Sequence, residues 1–246
     1  MIIFERVSRR YAATRSAGDT LRSSLAFRRP APAPAFIALD DVSFHLARGE
    51  ALGVIGRNGA GKSTLLKLLT RITRPSVGRI RVNGSLSSLL EVGAGFHMDL
   101  SGRENIYLAG AILGMSRRDI TRRVDDIVAF SGVGDVLDAP VRTWSSGTCL
   151  RLAFSVGVHL DSDIMVIDEA LAVGDAGFQA QCLARIQAFR HAGGTLVLVS
   201  HDEAQLRQVC SRGLVLERGR AVFHGDAGDA LSFYARRDGA HNTPEE

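Results

Sequence analysis

Lysine is almost missing from this chain: of 30 basic residues only Lys62 and Lys67 are lysines. The arginine-rich remainder gives a net charge of +4 and a pI of about 9.3, too mild and too dispersed along the chain to point to nucleic acid. Cysteine is equally sparse. Cys149, Cys182 and Cys210 are odd in number, far apart and without C-x-x-C spacing, which excludes a disulfide framework and a cysteine metal site and favours a reduced, cytosolic setting. No apolar run approaches the roughly 18 to 20 residues of a membrane helix, and the N-terminus lacks the pattern of a secretory signal. A role at a membrane must therefore come through a partner. What the 246 residues do contain is 46% hydrophobic side chains, enough for a sizeable core in one large domain or two small ones.

The scarce lysine lies in GVIGRNGAGKSTLLKLL, residues 53–69. Ala51 to Ile55 reads as a buried parallel strand, and Ser63 to Leu69 begins a helix with Leu65, Leu66 and Leu69 on its apolar side. Between them Gly56, Arg57, Asn58, Gly59, Ala60, Gly61, Lys62 and Ser63 match the phosphate-loop spacing G-x-x-x-x-G-K-[ST]. Glycines let backbone amides turn inward around a polyphosphate, and the helix N-terminus adds partial positive charge. Lys62 then reaches the β- and γ-phosphates while the Ser63 hydroxyl is offered to Mg²⁺, with Thr64 beside it.

Two further apolar strands end in polar groups. In DSDIMVIDEALAVGD, Ile164 to Ile167 lead to Asp168 and Glu169, placed where open α/β sheets bind ligands. Asp168 can hold Mg²⁺ directly or through water, and Glu169 can act as general base on the attacking water. Thr195 to Val199 end at Ser200 and His201, and the convergence of three such strands makes His201 a candidate γ-phosphate contact. Helices are expected over residues 104–113, 117–130 and 150–160. Strands 214–216 and 221–223 are expected to pair around Arg218 and Gly219, with a last helix over 230–236.

With these motifs in view, the chain resembles the nucleotide-binding subunit of ATP-binding cassette (ABC) transporters from about Val42 to Gly225. WSSGT, residues 144–148, stands in the place of the family signature, 24 residues before Asp168, and Asp175 matches the aspartate after the catalytic glutamate. The resemblance implies an α/β fold: a RecA-like P-loop NTPase core with an antiparallel β subdomain and an inserted helical subdomain, about residues 100–160. It also implies a homodimer with ATP sandwiched between the phosphate loop of one subunit and Ser145, Ser146 and Gly147 of the other. The signature reads W-S-S-G-T against the usual L-S-G-G-Q, with Trp144 for leucine, Ser146 for glycine and Thr148 for glutamine. The usual glutamine near the metal is absent from LLEVGAGFHMDLSGRENI, where Glu91 lies nearest. The adenine-stacking aromatic is Tyr11 or Phe36.

EVGAGFHMDLSGRENIYL, WSSGT followed by RLAFSVGVHL, and IDEALAVGDAGFQAQC narrow the resemblance to exporters of bacterial surface polysaccharides, including O-antigen, and their teichoic-acid relatives. Such subunits dimerise beneath two copies of an integral-membrane permease, at the cytoplasmic face of the inner membrane, and hydrolyse ATP to move a lipid-linked polymer. O-antigen is the favoured polymer here, with capsule or teichoic acid as alternatives. Residues 11–36 form an insertion in which Leu21 and Leu25, flanked by arginines and followed by Pro30, Pro32 and Pro34, suggest a short amphipathic helix at the transport path. Residues 226–246 are expected to hold a C-terminal helix and tail, with no carbohydrate-binding domain in this chain. Three other readings fit less well: a DNA-repair or translation ATPase of the same fold, a small-solute importer, and an ATP-gated switch without turnover.

Overall fold

A computed structural model describes residues 1–12, 35–89, 95–168 and 174–241. Two sheets carry the architecture. Strands β1 (Ile2–Ala12), β2 (Ala35–Leu46) and β4 (Val77–Val82) make an antiparallel sheet of order β2-β1-β4. A second sheet has six strands in the order β5 (Leu86–Ser88), β6 (Ile164–Asp168), β7 (Thr195–Val199), β3 (Ala51–Ile55), β8 (Arg212–Glu217) and β9 (Arg220–Asp226). Its neighbours are parallel except for the β8–β9 hairpin. β3 and β7 are buried at every position, which is why they read as unbroken apolar runs rather than as alternating ones.

Helices fill both faces of this sheet. α1 (Lys62–Leu69) buries Leu65, Leu66, Leu68 and Leu69 in a core shared with Phe4, Phe44, Val54 and Val197, between the two sheets. Each leucine removed from water there contributes about 2 kcal/mol. On the opposite face α5 (Ala176–His191), α6 (Glu203–Val209) and α7 (Ala227–His241) pack against β3, β6 and β7 through Phe178, Ile186, Leu206 and Leu231. A third cluster joins α2 (Gly102–Ile112), α3 (Arg117–Ser131) and α4 (Ser146–Val158) around Ile106, Ile120, Ile127 and Leu152.

The three strands expected from the apolar runs form where the sequence placed them, while several helix ends shift for reasons of capping. α4 begins at Ser146, four residues before the expected start, because Ser145 caps it by accepting the Thr148 amide at 3.1 Å. Ser101 does the same for α2, in a reciprocal box with Glu104 that brings Gly102 into the helix. α7 starts at Ala227 rather than 230, with Asp226 accepting from the Gly228 amide at 2.7 Å. β1 and β2 stay paired to Ala12 and Ala35, so strand pairing reaches inside the boundaries 11–36 expected for the insertion. Its central part, with Leu21 and Leu25, lies outside the described residues. The cysteines are free thiols, and burial pushes those of Cys182 and Cys210 up to about 12, so neither is a nucleophile near neutral pH. Among the described residues no helix is long and apolar enough to cross a membrane.

Candidate functional site

Parallel pairing brings the polar strand ends together. Val199 of β7 stands opposite Val54 of β3 on one side and Asp168 of β6 on the other. The carboxyl ends of these strands therefore deliver the phosphate loop, Asp168 and the Ser200–His201 turn to one edge of the sheet.

The loop from Gly56 to Gly61 is shaped by close backbone approaches. A β-carbon at Gly56 would lie 2.4 Å from the Leu216 carbonyl oxygen of β8, so only glycine lets the loop pass there. Gly61 has φ +109° and would put a β-carbon 2.7 Å from the Ala38 carbonyl, which makes it the turn that opens α1. Lys62 is 7% exposed, and its Nζ donates to the carbonyls of Gly56 at 2.6 Å and Arg57 at 3.3 Å. These bonds offset the cost of burying an ammonium and hold it across the loop.

A second support reaches the loop from far along the chain. Arg218 and Gly219, both with positive φ, form the two-residue turn of the β8–β9 hairpin. The Gly219 amide donates to the Ala60 carbonyl at 3.0 Å, and its carbonyl accepts from the Asp40 amide at 2.8 Å. The phosphate loop is thus pinned between a hairpin some 160 residues downstream and β2. The signal available in advance was the R-G dipeptide between two apolar runs, which predicts a turn and not what the turn touches.

Arg57, Asn58, Gly59, Gly61, Lys62, Ser63, Thr64 and Asp168 line one cavity of about 360 Å³, walled on its far side by Phe36 and Ala38. Ser63 and Asp168 present a hydroxyl and a carboxylate to the same space. Such hard oxygen donors suit Mg²⁺, which completes its shell with phosphate oxygens and water rather than with an all-protein cage. No group of three or more His, Cys, Asp or Glu side chains competes for a metal among the described residues. A second cavity of about 350 Å³ opens on the other side of the loop, beneath Tyr234 and Asp238 of α7, and contains neither Lys62, Ser63 nor Asp168.

The two candidate aromatics sit opposite each other, Tyr11 on β1 and Phe36 on β2. Phe36 is 64% exposed and forms part of the cavity wall. The Tyr11 ring is covered by the Arg9 guanidinium at 4.5 Å. His201 is exposed at the same sheet edge, in the turn where the Asp202 amide bonds Ser200 Oγ at 3.0 Å. The residues that line the cavity do not include His201. Glu169 and Glu91 lie outside the described residues.

The signature lies apart from this cavity, in the first turn of α4. Ser145 and Ser146 are exposed, with Ser145 Oγ 2.8 Å from Thr148 Oγ1, so the threonine in place of glutamine helps to fix the cap. Asp175 is engaged within its own chain: it caps α5 through the Phe178 amide at 2.9 Å and pairs with Arg151 at 3.3 Å. Arg151 also donates to the Ser131 carbonyl at 3.0 Å and covers the Phe178 ring at 4.9 Å, tying the signature helix to the residue that follows the carboxylate strand.

Residues 39–172 match the family model described as ABC transporter. The chain belongs to the ABC transporter family. It is 46% identical over 191 residues to the ABC transporter protein AbcA of Aeromonas salmonicida, covering 78% of this chain and 62% of that one. The O-antigen export system ATP-binding protein RfbB of Myxococcus xanthus is 47% identical over 192 residues, 78% of this chain and 44% of that protein. RfbB of Klebsiella pneumoniae is 42% identical over 199 residues, 81% of each chain. The chain therefore spans less than two thirds of the first two relatives and most of the third. A solved ATP-binding subunit of an ABC transporter superimposes with a TM-score of 0.75 at 22% identity, over 98% of this chain and 95% of that one, which shows the ABC cassette fold.

Proposed function

We propose that this chain is the ATP-hydrolysing subunit of an exporter that moves lipid-linked surface polysaccharide, O-antigen the favoured polymer, across the bacterial inner membrane. The observation that carries the chemistry is the single cavity joining the phosphate loop, Lys62, Ser63 and Asp168. The likeness to two O-antigen export ATP-binding proteins supports the substrate class. In this reading the whole of residues 1–246 is one nucleotide-binding domain. It acts as a homodimer on the cytoplasmic face of the membrane, held there by two copies of a permease.

Within that reading the residues divide the work. The loop amides of residues 57–61 and the N-terminus of α1 surround the β- and γ-phosphates, and Lys62 exchanges its carbonyl partners for phosphate oxygens. Ser63 and Asp168 would hold Mg²⁺, which when bound neutralises charge on the β- and γ-oxygens, and Glu91 remains a further candidate ligand. Phe36 or Tyr11 stacks on the adenine. Glu169 accepts a proton from water as its oxygen bonds to the γ-phosphorus, the bond to the β–γ bridging oxygen breaks, and ADP and phosphate leave. His201 holds the γ-phosphate or the water in line. The partner's signature turn completes the site with the Ser145 hydroxyl and the amides of Ser146 and Gly147, next to Asp175.

Surface and cytoplasmic polysaccharide measured in a deletion strain, complemented with wild type or Glu169→Gln, tests the assignment. Polymer absent from the surface, accumulated inside and restored by wild type alone is the expected result. Normal surface polymer in the deletion strain would remove the substrate class and leave the ATP site standing.

A further inference from the structure

The signature turn is held by contacts that neither the phosphate cavity nor the family motifs account for. Residues 97–103 run beside residues 137–142. The Leu100 carbonyl accepts from the Val141 amide at 2.9 Å, Met98 from Arg142 at 2.8 Å, and Leu137 from Arg103 at 3.1 Å, with a bridge between Ser101 and Pro140. One fully buried side chain locks the first strand of this strap. Asn105 accepts from the His97 amide at 2.7 Å, and its amide nitrogen lies 2.9 to 3.2 Å from the carbonyls of Ser101, His97 and Leu100. Two residues past the strap stands Trp144, whose ring packs directly on Gly102, the first residue of α2. A β-carbon at Gly102 would lie 2.2 Å from Trp144 Cη2 and 2.6 Å from Cζ2.

Each half of this pair is a poor local choice. Glycine weakens a helix, and the buried indole Nε1–H has no hydrogen-bond partner among the described residues. Together they let the Trp144 ring, and with it the backbone before Ser145, come closer to α2 than any side chain at position 102 would allow. Two unfavourable local choices that fit each other mark a position under functional constraint.

We infer that Gly102 and Trp144, with Asn105 behind them, are positioning residues that fix the signature turn 145–147 to the N-terminus of α2, so that the turn and segment 95–101 shift as one body. The inference rests on the ATPase reading above. It assigns Trp144, which replaces the family's leucine, to presenting Ser145 to the nucleotide held by the partner subunit.

The full chain in the wild-type form and as Gly102→Ala, Trp144→Leu and the double variant, assayed for ATP turnover and ATP affinity, tests it. Alanine is a better helix former than glycine, so the single change acts through the ring it displaces, with the Leu137 carbonyl at 3.0 Å as the other close neighbour. Gly102→Ala should lower kcat by roughly 10- to 100-fold, since misplacing a catalytic contact by about 1 Å has that effect, with ATP affinity within about twofold. The double variant should return to the kcat of Trp144→Leu, because leucine vacates the space the new methyl needs. Trp144 is the only tryptophan, so its emission reports the joint directly: ATP with Mg²⁺ should shift it in wild type, and in Lys62→Ala only at roughly 10- to 150-fold higher ATP. Wild-type kcat in Gly102→Ala, or a double variant slower than Trp144→Leu at equal melting temperature, would overturn the joint. If Gly102→Ala melts too low to assay, Trp144→Phe replaces it, and an unchanged kcat there has the same meaning. A wild-type chain that binds no ATP would instead sink the ATPase reading.

Discussion

The phosphate cradle and the signature turn do comparable work by opposite means. The cradle is made by eight contiguous residues running from the end of one strand into one helix, and its shape follows from where glycines and one lysine fall, with the Gly219 turn as its outside brace. The signature is also contiguous, but its placement is set by residues 97–105 and 137–142, by the Trp144–Gly102 contact and by Arg151. A phosphate holder must be rigid before ligand arrives. The signature turn, which the proposed function assigns to a partner subunit's site, is instead held by long-range contacts to α2 and to residues 97–103. The difference teaches that a substitution in the first should act on binding, and one in the second on turnover.

The most damaging way to probe that division is Glu169→Gln, which keeps the side chain's shape and removes the proton acceptor. Steady-state ATP hydrolysis should fall by about 10² to 10⁴ with binding retained; equal loss of binding would erase the distinction. Lys62→Ala belongs wholly to the cradle. Losing charge-assisted bonds of about 1.5 to 3 kcal/mol should weaken ATP binding by roughly 10- to 150-fold, read by isothermal titration, and a variant binding like wild type would refute the phosphate-loop assignment.

Phe36→Ala sharpens the comparison at the far wall of the cradle. Base stacking contributes about 1 to 3 kcal/mol, so ATP affinity should drop by at least about fivefold while Tyr11→Ala changes it less. The reverse order would move the adenine to Tyr11. On the signature side, Ser145→Ala removes the cap of α4 and should cost about 1 kcal/mol in chemical denaturation, with ATP affinity unchanged and turnover reduced. A loss of affinity as large as the loss of turnover would place Ser145 in the cradle.

The smallest expected effect is on pH. Burial holds His159, which bonds the Ser155 carbonyl at 2.7 Å, and His224 below the ordinary imidazole value of 6.5. The unfolded chain therefore takes up these protons first as pH falls, so the stability they contribute is full above about 6.5 and declines as pH drops toward the folded values. His159→Gln should flatten the melting-temperature profile between about pH 7 and 5, His224 keeping part of the slope. An unchanged profile would assign the acid loss elsewhere.

Much of the site was legible because its parts are short and periodic. β3 and β7 are fully buried five-residue strands and β6 is four apolar residues ending in Asp168; candidate site residues stand at or just past their carboxyl ends, and parallel pairing brings those ends to one edge. Less was legible where a local signal had two readings. WSSGT gives four polar or flexible residues after an aromatic, two of them serines able to cap a helix, and nothing in that string says that Ser145 is the one that caps or that Trp144 rests on a glycine 42 residues earlier. Phe36 and Tyr11 were equal candidates until strand pairing put one in the cavity wall and the other under Arg9.

By itself the sequence determined the phosphate-loop spacing, the apolar runs that become β3, β6 and β7, and the family, because glycine spacing, charge and apolar runs act over a few residues. Only the tertiary structure decided that the Arg218–Gly219 turn braces the phosphate loop, that Phe36 faces the cavity, and that Asn105, Gly102 and Trp144 bind the signature to α2. Apart from the bonds of Asn105 to residues 97–101, those contacts join residues separated by tens to more than a hundred positions. They depend on which backbones come within van der Waals reach, and no local pattern encodes that distance.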